Sequence, residues 1–155
     1  INGKEVGCDK YVRKLAWLDA LTQTMKAELA EPRPTVMLGD FNIVTDDRDI
    51  YDADGWRGKI LCSDEERARL QSFLSLGMVD LHREQTSEAG IFTWWDYRGG
   101  AFPRNMGMRI DLALGNPSAA GICTDVGVDR DERKKGDWEA KPSDHAPLVV
   151  VLKTS

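Results

Sequence analysis

Residues 141–152 read KPSDHAPLVVVL. From Pro147 to Leu152 the run is apolar and largely β-branched, the pattern of a strand covered on both faces. At its lip stand an aspartate and a histidine, although the chain has only two histidines, His82 and His145. Ser-Asp-His before a strand also suits an ordinary turn. The question is whether polar groups end other strands of the chain in the same way.

They do. TVMLGDFN (35–42) reads as a buried strand over 35–39 that stops in a polar corner, and MRIDLAL (108–114) is an apolar strand interrupted by Asp111. IFTWW (91–95) and ICTDVGV (122–128) complete the strand-like runs. Two amphipathic helices accompany them. The first is capped by Asp9, buries Tyr11, Leu15, Leu18, Leu21, Met25 and Leu29, and stops before Pro32. The second, SDEERARLQSFLSLG (63–77), opens on a Ser63–Glu66 capping box and closes at Gly77, with Leu70, Phe73 and Leu74 inward. Residues 44–62 read as irregular, 98–107 as a glycine-rich segment and 129–141 as a charged loop. The fold class expected is α/β (α+β): a layered β-sandwich with flanking helices, in one domain over 1–155.

The 155 residues suffice for a domain with its own core or for part of a larger one. The chain begins at Ile1 rather than methionine and is expected to be a processed or truncated piece. No signal peptide is visible, and no window reaches the ~18 apolar residues of a membrane span, so no membrane partner is expected. Cys8, Cys62 and Cys123 are far apart and odd in number, which argues against a disulfide framework or structural zinc and suits a reducing cytoplasm. The net charge of −5 does not exclude a nucleic-acid partner, because acidic groups that hold a divalent cation lower the formal count.

Asp40 and Asn42 lie two apart and converge if the chain is extended, whereas adjacent Asp144 and His145 diverge. Asp144 is thus a poor partner for His145. Asp111 is the better one, since a carboxylate inside an apolar strand needs a donor, a cation or a metal. An imidazole held in one tautomer by a carboxylate is a usable general base. This oxygen-rich set favours Mg²⁺, with Mn²⁺ possible, and two histidines rule out a histidine-rich zinc site. In FTWWDYRGGAFPRNMGMRID (92–111), Trp94, Trp95, Tyr97 and Phe102 accompany Arg98, Arg104 and Arg109, with no acid between Tyr97 and Ile110. That mixture suits phosphates and unstacked nucleotides, with Arg98 and Arg109 as candidate contacts and Trp95 assigned to the core. The loop from Arg130 to Lys141, with five basic and four acidic residues, reads as solvated surface.

The order GDFN, FTWWDYR, GMRIDLAL, KPSDHAP closely resembles the exonuclease III family of abasic-site DNA repair nucleases, within the endonuclease/exonuclease/phosphatase superfamily. The resemblance runs over essentially the whole chain. It implies Asp40 in proton transfer to the leaving oxygen and in the metal site, and Asn42 on the scissile phosphate. It also implies Asp111 paired with His145, and Asp144 at the metal, so that Asp40, Asn42 and Asp144 form the metal set. Trp94, Met108 and Ile110 would line the pocket for a flipped-out abasic sugar. A glutamate, an asparagine and a tyrosine from the family's first half have no counterpart, so the chain is expected to match the C-terminal portion of the fold and to leave apolar sheet surface bare. The expected parent activity is Mg²⁺-dependent cleavage of double-stranded DNA 5′ to abasic sites and removal of nucleotides from 3′ ends, by a monomer. The 155 residues alone are expected to be nearly inactive and able to self-associate. The general base is His145, or Asp40 in a competing assignment. Alternatives are a superfamily phosphatase or phosphodiesterase on a non-nucleic substrate, and a non-catalytic DNA-binding module.

Overall fold

The computed structural model describes residues 2–136 and 140–153. Its central strand is β3 (Asp111–Gly115), flanked in an antiparallel sheet by β1 (Val36–Asp40) and β2 (Val79–Asp80). A second sheet pairs β4 (Cys123–Val128) with β5 (Leu148–Leu152). The alternation of side chains along β3 builds the layers. Leu112 and Leu114 point one way, into a core formed with Leu18 and Met25 of α1 (Asp9–Glu28) and Leu70 and Phe73 of α3 (Asp64–Ser75). Ala113 points the other way, against Val126 of β4 and the partly buried Leu148 and Val150 of β5. Each fully buried Leu or Phe in these layers contributes about 1.5–3 kcal/mol of transfer free energy.

Short elements connect them: a 3-10 turn at Asp47–Asp49, α2 (Ala53–Trp56), α4 (Leu81–Gln85), α5 (Pro117–Ile122) and a 3-10 turn at Arg130–Arg133. Helix α3 carries the expected capping box in both directions between Ser63 and Glu66. Its end is turned by Gly77 at φ +90°, a conformation that favours a residue without a Cβ. Helix α1 differs from expectation at its start. Cys8 occupies the N-cap without a side-chain bond, and Asp9 lies in the first turn, where its charge complements the helix dipole. Its buried stripe includes Lys14 and Thr22, while Leu15 and Leu21 are only partly covered.

Two strand readings are corrected. IFTWW forms no strand; Trp94 makes single bridges to Met108 and to His145, so the segment is held by its neighbours rather than by a ladder. β5 is covered on one face only: Val149 and Val151 remain 46% and 44% exposed. Leu38 of β1 is also open, at 54%, because the β4–β5 sheet does not extend over that edge. The loop read as solvated surface is anchored as well. Arg133 is buried with its guanidinium 4.9 Å from the Tyr97 ring and 5.0 Å from Phe102, and Arg130 lies 4.2 Å from Phe102. Residues 137–139 of that loop lie outside the described residues. Among the described residues no helix is long and apolar enough to cross a membrane.

Candidate active site

Register brings the polar strand ends together. Asp40 and Asp111 are direct partners across the β1–β3 ladder, and residues so opposed point to the same face. That face looks towards the second sheet, where the segment before β5 delivers His145. Its Nδ1 lies 2.8 Å from Asp111 Oδ2. Asp111 is held by its backbone, for Thr93 Oγ1 accepts from both Ile110 N–H and Asp111 N–H at 3.1 Å. The histidine segment is laced to the tryptophans through Trp95 N–H to Asp144 C=O (3.0 Å) and Ala146 N–H to Thr93 C=O (2.8 Å). Asp144 diverges from His145, as adjacent extended residues must, and its Oδ2 accepts from Trp94 Nε1–H at 3.0 Å.

Beside this pair the GDFN corner folds on itself. Asn42 adopts φ +52° rather than continuing extended. It donates to Asp40 from its backbone N–H and from its side-chain amide, each at 2.8 Å. Asparagine tolerates this left-handed conformation better than most residues. Beside the Asp111–His145 pair lies an open cavity of about 660 Å³, bounded by Leu38, Gly39, Asp111, Lys141, His145 and Leu148, whereas Asp40 and Asn42 line a separate, smaller one with Lys14 and Trp17.

The electrostatics separate two protons. The hydrogen bond that His145 Nδ1 donates to Asp111 raises the His145 pKa above the usual imidazole value, and the nearby Asp40 and Asp144 add to it against the opposing effect of burial. Desolvation raises the Asp40 carboxyl, helped by the like charge of Asp111 and opposed by the Asn42 N–H. With Nδ1 engaged by Asp111, Nε2 is the nitrogen left to take a proton from a water.

Asp40, Asn42, Asp111 and His145 therefore share one corner, with Asp144 turned to Trp94. Other assignments are corrected. Arg109 touches no solvent: its guanidinium donates to Asp49 from Nε and Nη2 and to Asp80 from Nη2, each at 2.8 Å. Arg83 also donates to Asp49, so two cations face two carboxylates in one buried cluster. A direct phosphate contact by Arg109 is thereby excluded. Arg98 is 90% exposed on its side chain and pairs with Asp96. Met108 and Ile110 do share a face, but both are buried with Val44 and Ile50 beneath Trp94 and line no open pocket.

In this structure Asp40, Asn42 and Asp144 are engaged with protein groups. Among the described residues no group of three His, Cys, Asp or Glu side chains is arranged to hold a metal ion. The Asp40 oxygens face the Asn42 amide groups and Asp144 faces an indole N–H. Thr93, Asp49 and Lys14 were not legible as site-shaping residues; only Lys14, at a buried helical position, left a trace in the sequence.

The sequence profile of the Endonuclease/Exonuclease/phosphatase family matches residues 4–145. Exodeoxyribonuclease III of Haemophilus influenzae is 36% identical over 151 residues, covering 93% of this chain and 55% of that protein. Among solved structures, the 3′ phosphatase NExo from Neisseria bound to product DNA hairpin superposes with a TM-score of 0.92 at 39% identity, over 99% of this chain and 58% of that one. An AP endonuclease from Archaeoglobus fulgidus gives 0.87 at 32%, over 97% and 57%. The chain thus spans little more than half the length of these relatives. The layered sheets, the Asp111–His145 pair and the profile converge: the chain belongs to the endonuclease/exonuclease/phosphatase family.

Proposed function

We propose that this chain carries the general-base half of a DNA phosphodiesterase of the exonuclease III type. The observation that carries the reading is the 2.8 Å contact between His145 Nδ1 and Asp111 Oδ2, placed beside the Asp40–Asn42 corner. In the proposed reaction His145 Nε2 takes a proton from the attacking water, a step worth about 10²–10⁴-fold. The Asn42 amide meets a phosphate oxygen. Asp40, whose raised pKa lets it keep a proton to higher pH, protonates the leaving oxygen.

The family's divalent cation, here proposed to be Mg²⁺, would draw its further oxygen ligands from groups outside the described set, since Asp40 and Asp144 do not complete a hard-cation shell. By the same reasoning the 155 residues alone bind Mg²⁺ weakly and cleave poorly, in a reducing cytoplasm that suits three free cysteines. Of the two DNA activities, action at 3′ ends is favoured. It needs no receptacle for an extruded sugar, and Met108 and Ile110, the residues expected to line one, are buried in an apolar cluster against which Trp94 packs. The 3′ phosphatase among the structural relatives, bound to a product DNA hairpin, supports the same reading.

The test compares the intact protein on a 3′-recessed duplex, a 3′-phosphate duplex, an abasic duplex and a small aryl phosphodiester. Metal-dependent release from 3′ ends, exceeding abasic incision, is expected. Turnover of the small ester alone would assign the chain to a non-nucleic branch, and no turnover on any substrate would leave a binding module.

A further inference from the structure

Lys14 occupies a position on the buried stripe of α1 where an apolar residue belongs, and it is only 3% exposed. Its ammonium donates to the Asn42 carbonyl and to Glu66 Oε1, both at 2.5 Å. The other Glu66 oxygen accepts from Ser63 N–H at 3.2 Å and from Ser63 Oγ at 2.7 Å, so the carboxylate is fixed by the cap of α3. One lysine thus ties the first turn of α3 to the backbone of the GDFN corner. Asn42 needs such a hold. Its left-handed φ is one that a non-glycine residue visits at a cost. Its backbone N–H and one of its two side-chain N–H bonds are spent on Asp40 within the same corner, which leaves the second side-chain N–H for a phosphate oxygen. An external donor on its carbonyl fixes the corner against the rest of the domain.

We propose that Lys14 is a positioning residue for phosphodiester cleavage, holding the Asn42 carbonyl so that the Asn42 amide and the Asp40 carboxyl present a fixed geometry to the phosphate. This rests on the phosphodiesterase reading. A buried ion pair between two helices could serve stability alone, and that reading makes a different prediction. Burial lowers the Lys14 pKa while Glu66 opposes it, so removing either partner alone unbalances the pair.

Three variants of the intact protein separate the roles: Glu66→Gln, which keeps the Lys14–Asn42 bond; Lys14→Met, which removes it and strands Glu66; and Lys14→Met with Glu66→Gln, which removes the bond but strands no charge. Positioning makes kcat follow the presence of Lys14. Glu66→Gln stays within about threefold of the parent, while Lys14→Met and the double variant fall at least tenfold with little change in KM, and the double variant melts above Lys14→Met. Amide exchange of Asn42, read by NMR, quickens at least tenfold in both variants that lack Lys14. Activity that follows melting temperature across the three variants, with Asn42 exchange unchanged in the double variant, overturns the proposal. Should the parent cleave no DNA, the phosphodiesterase reading falls by itself, and the exchange measurement alone decides whether Lys14 holds the corner.

Discussion

Replacing Arg109 by methionine keeps the length and apolar bulk of the side chain and removes the guanidinium from a site without solvent. Asp49, also fully buried, loses the two bonds from Arg109 Nε and Nη2, and Asp80 loses one. Breaking a buried pair by deleting one partner costs about 3–5 kcal/mol, because the surviving charge is left desolvated. Two features place this case at the lower end. Asp49 keeps bonds from Arg83 and Thr45, and Asp80 still caps α4 through His82 N–H and Arg83 N–H. The expected loss is therefore about 3 kcal/mol, or roughly 6–12 °C in melting temperature for a domain of this size. The assay is thermal and urea unfolding of the intact protein, paired with DNA binding across a salt series. Because Arg109 is fully buried and paired with Asp49 and Asp80, the slope of log K against log salt stays unchanged. Arg98→Ala, at an exposed position, should reduce that slope by about 1 and alter stability by no more than about 0.5 kcal/mol. A melting temperature unmoved by Arg109→Met, together with a slope reduced by about 1, would refute the reasoning and return Arg109 to the phosphate.

Asp111→Asn removes the group that does most to raise the His145 pKa while burial continues to lower it, so the acid limb of kcat/KM moves to lower pH. The linkage has a definite sign. A raised histidine pKa stabilises the folded state at pH below ~6.5 and loses that contribution as pH rises through the folded value, so Asp111→Asn should cost more stability at pH 5.5 than at pH 8. Equal losses at both pH values, with an unmoved acid limb, would contradict the pairing. Gly107→Ala places a Cβ 2.5 Å from Trp95 Nε1 and 2.7 Å from Phe92 Cδ2, where the backbone is fixed by Tyr51 N–H on the Gly107 carbonyl. Overpacking of about 1–3 kcal/mol should appear as a lower urea midpoint with a shifted Trp95 emission, and an unchanged midpoint would show that the ring yields freely.

Much of this arrangement was legible because period and position constrain it. A two-residue period showed that Asp144 and His145 must diverge, which left Asp111 as the carboxylate for the imidazole; the observed Asp111–His145 contact follows from strand register that no local pattern could specify. The α3 capping box was readable because it is a local motif with its own hydrogen bonds. What escaped was non-local. Arg109 resembled a phosphate contact because its partners, Asp49 and Asp80, lie 60 and 29 residues away. IFTWW has the composition of a strand but pairs through single bridges, since Thr93 and Trp94 serve Asp111 and Asp144 instead of a ladder. Arg133 looked solvated because stacking on Tyr97 and Phe102 depends on a loop folding back over thirty residues. The exposed face of β5 was not legible because LVVVL is apolar at every position, so its composition does not distinguish a strand covered on one face from one covered on both.

The central claim is that His145, oriented by Asp111, is the base that activates water for phosphodiester cleavage. Single-turnover cleavage of a 3′-recessed duplex by the intact protein and by its His145→Ala variant tests it most directly. The account predicts a fall of at least about 10²-fold in the chemical step, with DNA affinity preserved within a few-fold. Cleavage by His145→Ala at a rate close to that of the parent would contradict it.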